Sequence, residues 1–214
     1  MPETVTPVPK PKKRKWRGWW LRQLHSWHWV SAAVSLMAML LFAITGITLN
    51  HAASIGATPI VTSKEGTLAA PLRASLAKAP AADAALPAPV AAAVKQAVGV
   101  DPAAQPGEWS DGEVYVALPR PGGDAWVSID RASGRITAET TDRGWISYLN
   151  DLHKGRNAGA AWFWFIDLFA GACILFTLTG LLLLQLHARH RPSTWPLVAF
   201  GLALPVIIAI LFIH

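Results

Sequence analysis

Charge is scarce in this chain. Asp, Glu, Lys and Arg make up 15% of its 214 residues, where a soluble domain carries roughly a quarter. The deficit is local, because three long apolar runs account for it. Cysteine is scarcer still. Cys173 stands alone inside one of those runs, which excludes an intrachain disulfide framework and a cysteine-based metal site. The sequence has no Ser–His–Asp arrangement, no carboxylate pair placed for acid–base work and no phosphate-binding glycine loop. If the chain takes part in a reduction, its electron donor must be another protein or a quinol.

What the sequence has in abundance is apolar length. Hydrophobic residues make up 52% of it. Three stretches each hold roughly 19 or more residues, enough at 1.5 Å per residue to cross about 30 Å of hydrocarbon. The pattern predicts a basic N-terminal segment at 1–22, a first span at 23–51 and a domain with an Ala/Pro-rich linker at 52–152. A second span follows at 153–188, a short loop at 189–194 and a third span at 195–214. The expected fold class is an α-helical membrane protein: three transmembrane helices, with a small α+β extracytoplasmic domain between the first two. The first apolar run is too long for a signal-peptide core and lacks an A-x-A end, so it reads as an uncleaved anchor.

The net charge of +6 is also local. Lys10, Lys12, Lys13, Arg14, Lys15, Arg17 and Arg22 precede the first span, and Arg189 and Arg191 lie between the second and third. Basic flanks stay in the cytoplasm. Residues 51–159 and the C-terminal His214 are therefore expected outside, as in a multi-pass protein of a bacterial inner (cytoplasmic) membrane. Beside a span, the basic cluster points to anionic lipid and not to nucleic acid. Trp16, Trp19, Trp20, Trp27, Trp29 and Trp195 would form one interfacial belt, and Trp162 and Trp164 the other.

Within the outer segment, ALPAPVAAAVKQAV predicts a helix, with Pro87 and Pro89 near its start and Gly99 at its end. GEVYVALP, DAWVSID and GRITAET read as three antiparallel strands joined by PGGD and DRASG turns. Asp130, Ser133 and Gly134 belong to the second turn. The expected buried face is Val114, Val116, Leu118, Trp126, Val127 and Ile129.

Histidines carry the candidate chemistry. His25 and His28 stand three apart at the inner start of the first span, and His187 and His190 three apart at the inner end of the second. His51 and His153 lie outside. They sort into two layers, and a cross-helix pair of neutral imidazoles is the minimal bis-His site for haem iron or another transition metal. The candidate cofactor-binding residues are His28, His51, His153, His25 and His187, with Lys154 and Arg156 for propionates or an anionic ferric chelate. His51 with His153 is the candidate metal pair. The same side chains also suit an interface as polar groups facing headgroups. His51 follows His28 by 23 residues, about 34 Å along a helix, and no histidine lies mid-span. One haem or metal at one face is thus better supported than a complete electron wire. Asp167 lies inside the second span, near its outer third, and is expected to pair with His51, His153, Lys154 or Arg156 or else to sit high enough to be hydrated. Thr45–Gly46 and Thr179–Gly180 are matched small-residue patches that allow close helix packing or relief for a flat macrocycle.

The blocks LHSWHWVSA, LLFAITGITLNH, WVSIDRASGRI and YLNDLHKGRNAGAAWFWFIDLFAGACILFTLTGLLLL resemble the PepSY-associated transmembrane proteins over about residues 20–187. Larger relatives include haem-using membrane reductases implicated in ferric-siderophore reduction. The resemblance implies an inner-membrane redox component binding haem b or a metal and supporting electron transfer or ferric-iron reduction. Expected partners are the lipid bilayer, a second copy in a homodimer, and a periplasmic or membrane redox protein. The alternative is a non-catalytic membrane-anchored scaffold whose PepSY-like domain binds a periplasmic partner.

Overall fold

The computed structural model describes residues 13–77, 83–103 and 105–213. The first part of the basic N-terminal segment and the expected outer end at His214 lie outside the described residues. In chain order the elements are α1 (Lys13–Asn50), β1 (Ile60–Thr67), α2 (Ala70–Ala74), β2 (Ala84–Ala85), α3 (Ala88–Val98), β3 (Pro106–Trp109) and β4 (Glu113–Ala117). Then come β5 (Gly123–Asp130), β6 (Arg135–Asp142), α4 (Gly144–His153), α5 (Gly159–His187) and α6 (Thr194–Phe212). Two compact units form. One is residues 41–166; the other joins the earlier part of α1 to α5 from Asp167 onward and to α6.

Helices α1, α5 and α6 are each long and apolar enough to cross a membrane. Burial along α1 supports that reading. Its buried side chains are the polar Ser31, Ser35 and Thr45, while Leu36, Met37, Leu40, Ile44 and Ile47 are exposed. A water-soluble helix does the reverse. Hydrocarbon solvates Leu and Met, whereas small polar residues let protein backbones approach. The Ser31 hydroxyl donates to the Trp27 carbonyl and the Ser35 hydroxyl to that of Ser31, both at 2.7 Å. No polar atom is thereby left unpaired on that face. In α6, Pro205 sits inside the helix, as spans tolerate.

The helix expected from residue 153 begins at Gly159. Gly155, Asn157 and Gly159 all take positive φ, and a run of left-handed residues cannot continue a right-handed helix. His153 therefore ends the separate helix α4.

Between the spans lies a six-stranded antiparallel sheet of order β1-β6-β5-β4-β3-β2, twice the three strands expected. The predicted helix forms as α3, with Pro at its first turn and Gly99 at its C-cap with φ 75°. It buries Val90, Ala91, Val94 and Val98 with Val114, Val116, Val127, Ile129, Ile136 and Ala138 of the sheet. Leu118 packs at the rim of this cluster. Trp126 is a correction to the expected face. Successive strand residues point to opposite sides, so with Val127 inward Trp126 faces the other side, where it stacks on Tyr115 at 5.9 Å between ring centroids.

The β5–β6 turn falls where DRASG predicts. The Asp130 carboxylate accepts from the Ser133 N–H at 2.6 Å and the Ser133 hydroxyl at 2.7 Å. Those bonds, the backbone one foremost, hold its pKa below the ordinary carboxylate value. Arg131 fastens the adjoining segments. It donates to the carbonyls of Leu76 and Ala77 on one side and of Ser110 and Asp111 on the other.

Candidate functional site

Two histidines are cradled in the same way, one in each unit. Helix α1 carries Phe42-Ala-Ile-Thr45-Gly46, and α5 carries Phe176-Thr-Leu-Thr179-Gly180. Each pattern puts a Phe, a Thr and a Gly on one face of a helical turn and a half. His153 sets its Nδ1 2.7 Å from Thr45 Oγ1 and lies 5.0 Å from the Phe42 ring. His28 sets its Nδ1 3.0 Å from Thr179 Oγ1 and stacks on Phe176 at 4.8 Å. Glycine supplies the room. A Cβ on Gly46 would meet His153 Cε1 at 3.5 Å, and one on Gly180 would meet His28 Cε1 at 3.3 Å.

The Thr45 and Thr179 hydroxyls also reach the carbonyls of Leu41 and Leu175, at 2.9 and 2.7 Å. A hydroxyl that donates to its carbonyl accepts from the histidine, which suits the tautomer with hydrogen on Nδ1. The Phe176 carbonyl, 3.3 Å from His28 Nδ1, imposes the same tautomer. Metal-ligating histidines are held in this manner by a partner on the second nitrogen.

His28 lines a cavity of about 610 Å³ in the unit of residues up to 40 and from 167. The same cavity is lined by Gly180, His187, His190 and Arg191. The structure thus brings together His28, His187 and His190. His25 does not line it; its Nδ1 donates to the Leu21 carbonyl at 2.7 Å. His187 donates likewise to Leu183 at 2.8 Å, leaving its Nε2 free. Three imidazoles and a guanidinium line this one cleft, residue types able to ligate iron and to pair with a carboxylate. Among the described residues, no group of three or more His, Cys, Asp or Glu converges closely enough to hold a bare metal ion.

The outer histidines are not paired with each other. His51 is exposed and donates from Nδ1 to Ile47 at 3.0 Å, whereas His153 takes Thr45. The block Asn150-Asp151-Leu152-His153 works as a junction within residues 41–166. Thr48 donates to Asn150 Oδ1 at 2.8 Å, the Gly122 N–H to Asp151 Oδ2 at 2.9 Å, and Trp162 Nε1 to the Leu152 carbonyl at 2.8 Å. Four consecutive residues thus reach α1, the turn between β4 and β5, and α5. Lys154 lies 3.7 Å from Asp151, and Arg156 is exposed.

Asp167 is exposed on α5 and makes no hydrogen bond or ion pair among the described residues. A carboxylate in a span costs roughly 2.5–3.5 kcal/mol at the bilayer centre.

The repeated Phe-x-x-Thr-Gly is legible in the sequence as an internal repeat, but nothing local marks its phenylalanines as partners of histidines. The junction roles of Asn150 and Asp151 left no signal, because their partners are distant in sequence.

Fold and site together define a multi-pass membrane protein with two histidine-cradling helices and, between them in the chain, an antiparallel α+β domain. The chain belongs to the PepSY_TM-like family, whose profile matches residues 19–214. No curated protein and no solved structure matches it.

Proposed function

We propose that this PepSY-associated membrane protein is a redox component that holds haem b, or another transition metal, through its histidines. It supports electron transfer or the reduction of ferric iron, as in a ferric siderophore. What supports the reading is one observation: His28, its Nδ1 committed to Thr179, lines a cavity with His187 and His190. His28, with His187 or His190, would hold the iron, and Arg191 would take a propionate. When bound, the haem supplies one-electron exchange at iron. Thr179 keeps the His28 ring aimed, and Gly180 leaves the ring edge space. The electron donor is a separate redox protein or a quinol. The basic flanks support a cytoplasmic N-terminus, with residues 51–159 on the far side of an inner membrane.

The test is the absorption spectrum of the purified full chain, oxidised and dithionite-reduced, with metal analysis on the same sample. A Soret band that shifts on reduction is expected, lost in His28→Ala and retained in His51→Ala. Absence of both haem and metal sinks the proposal.

A second reading has its own support. β1 is an edge strand whose outer side is open, with Ile60 and Val61 exposed. Such an edge can accept an extended peptide, as a non-catalytic scaffold binding a periplasmic partner would. A protein free of cofactor whose domain binds an extracytoplasmic protein through β1 would favour it.

A further inference from the structure

Asp167 is the only carboxylate in α1, α5 or α6. It lies six residues from Cys173, the midpoint of the 29-residue α5, or about 9 Å along the axis. Half the hydrocarbon thickness is about 15 Å, so the group sits at hydrocarbon depth, below the level of Trp162 and Trp164. In either protonation state it leaves polar atoms there that require a partner.

Helix α5 presents two distinct faces. Trp162, Ile166, Phe169, Cys173, Phe176 and Thr179 are partly or wholly buried. Asp167 is on the other, with Phe163, Trp164, Ala170, Gly171 and Ile174, all exposed. A Cβ added at Gly171 would meet nothing within 4 Å. A polar group beside small residues is what lets a second helix approach and bond in a membrane.

The sequence limits what that second helix can be. Helices α5 and α6 contain no Lys or Arg, and the basic residues of α1 end at Arg22, at its opposite end. A second copy, related by an axis along the membrane normal, would meet Asp167 with an apolar helix or with another Asp167, since its Lys154 and Arg156 precede the start of α5 at Gly159 and lie outside the span. We infer that this face of α5 docks a transmembrane helix of a different protein, one carrying a lysine or arginine at the depth of Asp167. The inference is independent of the haem reading, since it uses none of the cavity histidines.

The full chain is reconstituted in vesicles of phosphatidylethanolamine and phosphatidylglycerol, and its association with polyleucine host helices is followed by energy transfer. One host is all leucine; another carries a single lysine at matching depth. The lysine host should bind on the order of tenfold tighter, and Asp167→Asn should erase the preference. Asp167→Lys should instead prefer a host bearing glutamate, which keeps the result readable even if the Asn variant folds poorly. Equal binding of both hosts, or of neither, overturns the inference. So does self-association of labelled chains that vanishes with Asp167→Asn, which would assign the face to a second copy.

Discussion

At Thr179 one side chain decides how His28 is held. Its hydroxyl reaches the Leu175 carbonyl and His28 Nδ1 together, which orients the ring and turns Nε2 away from the threonine. Thr179→Val keeps the shape and removes the acceptor. We expect a loss of about 1 kcal/mol in stability, and nitrogen NMR of histidine-labelled protein should show the His28 Nδ1 signal displaced, with the Phe176 carbonyl left as its acceptor. Thr179→Ser should keep the signal in place, whereas an unchanged His28 signature in the valine variant would remove the threonine from its assigned role. The sequence marks Thr179–Gly180 and Thr45–Gly46 as paired small-residue patches. It does not mark the docking, because His28 and Thr179 stand 151 residues apart and no local rule links them.

Among the elements, α3 and β4 to β6 follow from turn chemistry and strand alternation, and they form where the pattern places them. β1 does not follow. It is an edge strand with almost every residue exposed, so it carries no alternating signal. Its one tight contact is a glycine: a Cβ on Gly66 would come within 2.9 Å of Ala97 Cβ on α3. The Trp126 correction has a measurable consequence. Ile129 is fully buried, and Ile129→Ala should cost about 2–5 kcal/mol. Trp126→Ala, on the half-exposed face, should cost less despite removing a larger side chain. Thermal unfolding of the two variants in the same detergent compares them directly; the opposite ranking would put Trp126 in the core.

Across the whole molecule, the spans and their basic flanks make a prediction about sidedness. With Cys173 first replaced by Ser, Ser63→Cys in exposed β1 should react with an impermeant maleimide on intact cells. Arg191→Cys should react only after the membrane is opened. The reverse pattern would invert the topology argued from charge. The number of spans, their apolar length and the α+β character of the domain were determined by the sequence by itself, because each depends on composition or periodicity within a short window. Which histidine meets which threonine, which nitrogen keeps its lone pair, and which face of α5 leaves Asp167 without a partner were decided only by tertiary structure. Those outcomes depend on helices and strands that lie far apart in the chain and meet only once it has folded.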